Sequence, residues 1–309
     1  MKLFSLVVML LFAVSTAFGS VFISVDEAAK LQGKSGVQFV SADGHDAYAK
    51  GHIPGSSNAT PHDLHYLDDV KKCGGLPICQ PEANKIIGNL GVDASTQVIV
   101  YDDGRGANAS GVWFFLTLYG HNNVKIIDEG FATWKKKGLP VAKGHTNVAA
   151  KKFSGTVKKE MIATIDEVEK ATKDSSNYMI LDSRHQFDEY IGKKLGSAYK
   201  TKGVDVTVPR GGFIPTATFS PWTKYAGNKS GKAGKKTLKG AKKIQKQLKK
   251  LKKNGYSENK TVVTYCHLGL GRGTFQYLAL KEAGHDKVKV YVGSWNEWGH
   301  SSKPVGKVK

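Results

Sequence analysis

The chain has 309 residues, more than the roughly 100–200 of one compact domain, so two domains are expected. Its 40% hydrophobic and 23% charged residues exclude wholesale disorder and a multi-span membrane protein alike. A balance of 46 Lys and Arg against 26 Asp and Glu gives a net charge of +20 and calls for an anionic partner, with nucleic acid, lipid and small anions all open.

Residues 1–19 have the three parts of a secretory signal: Lys2, an apolar run from Leu6 to Val14, and the small pair Ala17-x-Gly19. The run is shorter than the ~20 residues of a membrane span and ends in Ser15-Thr16. Cleavage after Gly19 is expected, with export to a periplasm or the exterior, and no later stretch is apolar enough to span. Residues 20–145 are read as a first domain. Ser24-x-x-Glu27 is a helix capping box at its start, and Val37–Val40, Val98–Tyr101 and Val124–Ile127 are predicted strands. Cys73-Gly-Gly-Leu-Pro-Ile-Cys79 is a short Gly- and Pro-containing loop that a local disulfide could close. With Cys266 the chain holds three cysteines, an odd count that leaves one thiol over in an oxidising compartment. Too few ligands surround any of them for a metal site, and none is expected.

A shift of 164 residues superposes Val98-Ile-Val-Tyr101 on Val262-Val-Thr-Tyr265, Gly120-His121 on Gly284-His285, Trp134 on Trp298, and Pro140-Val141 on Pro304-Val305. The chain is therefore a tandem repeat. Residues 146–160 read as its linker and 161–309 as the second domain, which opens on a second capping box, Thr164-x-x-Glu167. Its predicted strands are Met179–Leu181, Thr261–Tyr265 and Val288–Tyr291. Short β-branched runs alternating with helical patterns predict an α/β fold, each domain a mainly parallel sheet flanked by helices.

Residues 229–253 hold twelve lysines and no acid, which leaves only +7 for the rest of the mature chain. Leu238, Ala241, Ile244, Leu248 and Leu251 predict one amphipathic helix there with a solvated lysine face. Without interleaved aromatics, and in an exported protein, nucleic-acid binding is not expected. The helix precedes the Cys266 strand, so it is expected to raise the anion concentration near that residue.

Cys266 follows a predicted strand and opens Cys266-His-Leu-Gly-Leu-Gly-Arg272, after which a helical pattern resumes. In parallel α/β sheets reactive groups gather at such strand ends. Gly269 and Gly271 let consecutive backbone N–H groups turn inward as an anion nest, and His267, Arg272 and the helix N-terminus favour the nucleophilic thiolate. The corresponding residue of the first domain is Asp102, so one copy is active and the other is not. The glycines make no dinucleotide fingerprint, because Thr274 stands where a third Gly is needed.

At these residues the chain resembles the tandem-domain rhodaneses, the thiosulfate or 3-mercaptopyruvate sulfurtransferases. The marks are Gly51-His-Ile-Pro-Gly55, Val98-Ile-Val-Tyr-Asp102, Asp128-Glu-Gly130 with Trp134, Leu181-Asp-Ser-Arg184, Gly212-Phe-Ile-Pro215, the Cys266 loop and Gly293-Ser-Trp-Asn-Glu-Trp-Gly299. The resemblance implies that Cys266 takes a sulfane sulfur from a small anionic donor and holds it as a persulfide among the N–H groups of His267, Leu268, Gly269, Leu270 and Gly271. The sulfur then passes to cyanide or a thiol, without a cofactor. Asp182 and Arg184 match an Asp-x-Arg that orients the loop or attracts the donor; a plain structural ion pair is the equal alternative. Trp295 and Trp298 are expected in the core, and a monomer is expected. Three departures concern the donor: Leu268 where a basic or small polar residue is usual, Gly271 with Arg272 one position late, and Asp188 in place of an arginine. About twenty extra residues, Gly192–Gly211, are expected to reshape the pocket mouth. Cys266 and Arg272 also spell a cysteine-phosphatase or arsenate-reductase loop, although Tyr265 stands where phosphatases have His. A non-enzymatic sulfur carrier is the third reading.

Overall fold

Val98-Ile-Val-Tyr101 is apolar at every position and has no residue to offer water, so it belongs at the centre of a sheet covered on both faces. The computed structural model, which describes residues 20–195, 199–201, 204–206 and 208–306, places it there. The expected signal at 1–19 lies outside the described residues.

The first domain runs β1 (Phe22–Ile23), α1 (Val25–Leu31), β2 (Val37–Ser41), α2 (His45–Lys50), β3 (Ser57–Asn58), α3 (Leu67–Lys72), α4 (Gln80–Asn89), β4 (Gln97–Tyr101), α5 (Ala107–Leu118), β5 (Val124–Ile127) and α6 (Gly130–Lys136). The second runs β6 (Ile162–Ala163), α7 (Ile165–Lys173), β7 (Tyr178–Asp182), α8 (Phe187–Tyr190), β8 (Tyr199–Thr201), β9 (Val204–Val206), β10 (Thr218–Phe219), α9 (Ala241–Leu251), β11 (Thr261–Tyr265), α10 (Arg272–Glu282), β12 (Val288–Tyr291) and α11 (Ser294–His300). Each domain has a five-stranded parallel sheet with the same strand order, β1-β5-β4-β2-β3 and β6-β12-β11-β7-β10. All six predicted strands form. The 164-residue shift carries β4 onto β11 and β5 onto β12 without remainder.

The repeat extends to side-chain devices. Trp134 and Trp298 are both buried, and each donates its indole N–H to the carbonyl six residues on, Pro140 and Pro304, at 2.8 Å. Tyr101 and Tyr265, which end the central strands, each accept an N–H on the phenol oxygen, from Ile53 at 3.0 Å and Ile214 at 3.3 Å. The Ser24 capping box closes in both directions, whereas at Thr164 only the hydroxyl caps; Glu167 turns its carboxylate to Lys289.

α5 and α10 pack against each other across the domain boundary and place the N-terminal turn of one beside that of the other. α5 is mostly apolar and buried from Ala109 to Leu116, as a helix packed on most sides must be. A side chain at Gly111 would sit 2.9 Å from both the Gly271 nitrogen and a Pro61 ring carbon, so the close approach requires glycine. Phe114 meets Tyr277 edge-on at 5.2 Å, and Ser110 Oγ donates to the Gly271 carbonyl at 3.2 Å. One continuous apolar core therefore joins the two sheets.

The lysine-rich segment differs from the predicted single helix. Leu238 pairs with Ala226 in an isolated bridge, and Gly240 starts the helix at Ala241, whose side chain is exposed; Ile244, Leu248 and Leu251 are buried. Its first half docks on the first domain, where the Thr237 N–H donates to Asp128 at 2.8 Å and the Gly234 N–H to Thr133 at 2.8 Å. Helix α9 lies against the far end of α10: Gln245 reaches the Ala283 carbonyl, three helical turns, or about 16 Å, from Arg272. That exceeds the screening length of about 8 Å at physiological salt. Cys73 and Cys79 are bonded, with 5.4 Å between their Cα atoms, and close the turn between α3 and α4.

Candidate active site

The chain leaves β11 at Tyr265 and enters α10 at Arg272, so Cys266 to Gly271 form a loop at the carboxyl end of the central strand. Gly269 has φ +78°, and a Cβ there would lie 2.6 Å from Val292 Cα and 2.7 Å from its carbonyl oxygen. Only glycine fits. The Cys266 N–H donates to Ser294 Oγ at 3.1 Å, and the Cys266 and His267 carbonyls accept from the Trp295 and Asn296 N–H groups. Gly271 differs from expectation: its N–H donates to Thr274 Oγ1 at 2.9 Å and is not free for a bound anion. The N–H groups of Leu268 and Leu270 meet no protein acceptor among the described residues.

The first domain shows what such a loop holds. Asp102, in the position of Cys266, is buried, and its Oδ1 accepts the Gly104 and Gly106 N–H groups at 2.8 and 3.0 Å. Its Oδ2 accepts the Ala109 N–H at 3.1 Å. Under the 164-residue shift these donors correspond to Leu268, Leu270 and Gly273. The first domain's loop thus folds around its own carboxyl group, and the Cys266 loop offers the equivalent donors around a thiol. Burial beside Asp102 and Asp103 pushes the Asp43 carboxyl up to about 7.

Cys266 opens into a pocket of about 170 Å³ lined by His267, Leu268, Leu270, Gly271 and Arg272 of its own loop and by Pro61, His62, Ala107 and Asn108 of the first domain. The pocket is thus shared between domains. No lysine lines it, so the lysine helix does not form its wall, and no described residue of 192–211 reaches it. The end of that extra segment is anchored elsewhere, by Arg210 donating to the carbonyls of Trp298, Gly299 and Lys303. Burial and the neighbouring Arg272 hold His62 below the ordinary histidine range, against the opposing pull of Asp63.

Arg272 Nη1 lies 3.3 Å from His267 Nδ1, and His267 Nε2 lies 3.0 Å from Glu189 Oε2 on α8. The second pair meets at ion-pair distance without the alignment of a linear hydrogen bond. Burial alone would raise the Glu189 carboxyl, but His267, Arg184 and Arg272 more than offset it and hold it below the ordinary carboxylate range.

Asp182 and Arg184 lie away from the pocket and are fully buried. Arg184 Nη2 donates to Asp182 Oδ2 and to the Gly212 carbonyl, each at 2.6 Å, and its guanidinium stacks 4.9 Å from the Trp295 ring. Asp182 Oδ2 also accepts the Tyr265 hydroxyl at 2.6 Å. The pair braces the residues on either side of the Cys266 loop. Trp295 and Trp298 are core residues, as expected.

Sequence reading missed His62, Asn108, Glu189 and Ser294. Of these only Ser294 carried a signal, its place in the Gly293-Ser-Trp motif; the others lie in segments without a pattern. Among the described residues no cluster of ligating side chains could hold a metal, and no helix is long and apolar enough to cross a membrane.

Residues 24–137 and 164–301 each match the rhodanese-like domain family. The chain is 27% identical to the 3-mercaptopyruvate sulfurtransferase of Escherichia coli (strain K12), over 85% of each chain. It is 26% identical to the thiosulfate sulfurtransferase of Pseudomonas aeruginosa, over 84% of this chain and 86% of that one. The crystal structure of SseA from Escherichia coli, described as a 3-mercaptopyruvate sulfotransferase, superposes with a TM-score of 0.68 at 22% identity, covering 90% of this chain and 99% of that one. These relatives favour sulfur transfer over phosphoryl chemistry on the same loop. Two family matches, two parallel sheets with one strand order and a single loop bearing cysteine establish that the chain belongs to the rhodanese-like domain family, in the tandem form shared with the sulfurtransferases.

Proposed function

We propose that the chain moves a sulfane sulfur from a small anionic donor, thiosulfate or 3-mercaptopyruvate, through a Cys266 persulfide to cyanide or a thiol. The observation that carries this reading is Asp102, whose carboxylate fills in one domain the cradle that lies around Cys266 in the other. The Cys266 thiolate attacks the outer sulfur of the donor. With thiosulfate the S–S bond breaks and sulfite leaves with the electron pair; with mercaptopyruvate the C–S bond breaks and pyruvate leaves as its enolate, which takes a proton from water. The Leu268 and Leu270 N–H groups hold the negative outer sulfur of the persulfide, as preorganised dipoles do for other anions. The acceptor's lone pair then attacks that sulfur and Cys266 leaves as thiolate. A pocket this small admits a small donor or a narrow acceptor group. Export is part of the same proposal. The secretory pattern of residues 1–19 and the Cys73–Cys79 bond both support an oxidising compartment.

The test is thiocyanate formation from cyanide with each donor, alongside the intact mass of the protein after donor exposure. One added sulfur on the wild-type chain, absent from Cys266→Ser, together with loss of turnover in that variant, is the expected result. Equal rates in the two proteins would overturn the assignment.

A further inference from the structure

Of the seven residues from Cys266 to Arg272, Arg272 alone has a permanent positive charge, and its long side chain does not hold itself in place. Among the described residues its side chain meets the His267 ring, with Nη1 3.3 Å from Nδ1. An arginine nitrogen can only donate, so His267 Nδ1 must accept and carry no proton. The ring proton of a neutral imidazole then sits on Nε2, which faces the Glu189 carboxylate at 3.0 Å. Glu189 and His267 are 4% and 8% exposed, so neither is free to be replaced by water. The three groups form a relay in which each contact selects the state of the next. The charge of the carboxylate 3.0 Å away favours a proton on Nε2, though the pair is not aligned as a linear hydrogen bond; the bare Nδ1 faces the guanidinium, which lies at the edge of the pocket and among the described residues shows no other hydrogen bond.

We propose that Glu189 is a positioning residue for the sulfur donor. Through His267 it sets the imidazole tautomer and so holds Arg272 where its free N–H groups meet the anionic tail of thiosulfate or of a 3-mercapto-2-oxo acid. This rests on the sulfur-transfer reading above. Without the carboxylate, the proton is free to move to Nδ1, where an N–H would face the N–H of Arg272 and push the guanidinium away. The donor then loses its cation, while Cys266 and the loop amides stay as they are. Glu189 itself never touches the donor.

The experiment measures thiocyanate production by the full chain against thiosulfate concentration, for the wild type, Glu189→Gln, His267→Gln, Arg272→Gln and the double variant Glu189→Gln/Arg272→Gln. Glu189→Gln keeps the side-chain volume and removes the charge. Its KM for thiosulfate is expected to rise about tenfold with kcat within twofold, and His267→Gln, which cuts the relay in the middle, to do the same. In the Arg272→Gln background, Glu189→Gln is expected to add no further increase, because there is no guanidinium left to hold. A residue that merely supported the fold would give the same added loss in both backgrounds. An unchanged KM in Glu189→Gln, or an equal penalty with and without Arg272, overturns the proposal. Wild-type protein without Cys266-dependent transfer overturns instead the reading on which it rests. Should Glu189→Gln fail to fold, the same comparison with His267→Gln, alone and combined with Arg272→Gln, decides the matter by the same criterion.

Discussion

Replacing Arg184 by Met distinguishes a brace from a donor-binding group. The guanidinium is fully buried and makes three contacts with the Asp182 carboxylate, the closest at 2.6 Å, as well as one to Gly212. Methionine fills most of the volume but leaves Asp182 buried with the Arg184 N–H and the Tyr265 hydroxyl as its remaining donors. Stranding one member of a buried ion pair costs about 3–5 kcal/mol. In a domain of this size that lowers the melting temperature by about 10 °C. The double variant Asp182→Asn/Arg184→Met has no stranded charge and is expected to recover most of the loss, to within about 1–2 kcal/mol of wild type. Urea unfolding followed at the tryptophans measures all three proteins. At temperatures where the single variant stays folded, its KM for thiosulfate is expected to remain within twofold of wild type, because the guanidinium does not line the pocket. A loss below about 1 kcal/mol, or a double variant no more stable than the single one, would refute the brace. A tenfold rise in KM with stability intact would return Arg184 to the role of donor binding.

Gly269→Ala puts a Cβ 2.6 Å from Val292 Cα at a left-handed φ, so sulfur transfer is expected to fall at least tenfold in a folded protein; near-wild-type kcat/KM would show that the loop shape is not required. Asp43 ionises at about 7 in the fold and near 3.8 when exposed, so between these values the unfolded chain has released a proton that the folded one retains. Stability is therefore expected to fall as pH rises from 4 to 7, and Asp43→Asn to add about 1–3 kcal/mol at pH 8, read by urea unfolding; a flat difference across that range refutes the assignment. Removing the Cys73–Cys79 bridge by Cys73→Ala/Cys79→Ala frees a loop with a sequence separation of 6 and is expected to cost about 2 kcal/mol without changing donor KM. Thermal melts and steady-state kinetics check the two halves of that statement separately.

The parts of the molecule that could be read in advance are those whose cause is local. Strands covered on both faces need unbroken β-branched and aromatic runs, and Val98–Tyr101 and Thr261–Tyr265 show them. The Cys266 loop was visible because a nest needs glycines at fixed places, as Gly269 confirms through its contacts with Val292. The other side of the pocket is set by tertiary packing. His62 and Asn108 line the same pocket as Cys266 because α5 and α10 pack at Gly111, more than 150 residues from the cysteine, and no local pattern encodes that meeting. Glu189 was hidden for a related reason: its partner lies 78 positions on, and α8, at four residues, is too short for a periodic pattern. Leu238 misled because its spacing continues the helical stripe, although the helix begins only after its cap at Gly240. The role of Arg184 turned on burial, which an Asp-x-Arg spacing does not report.

The carboxylate of Asp102 is covalently part of its loop and never departs, so the first domain's loop has the same set of bonds at every moment. In the proposed cycle the loop around Cys266 is ligated only for part of each turnover, since its occupant arrives with one reactant and leaves with the next. Half of this molecule is therefore a permanently loaded copy of the other half. Amide hydrogen exchange at Gly104 and Gly106 supplies an internal standard, within the same tube, for how far Leu268 and Leu270 tighten when sulfur is aboard.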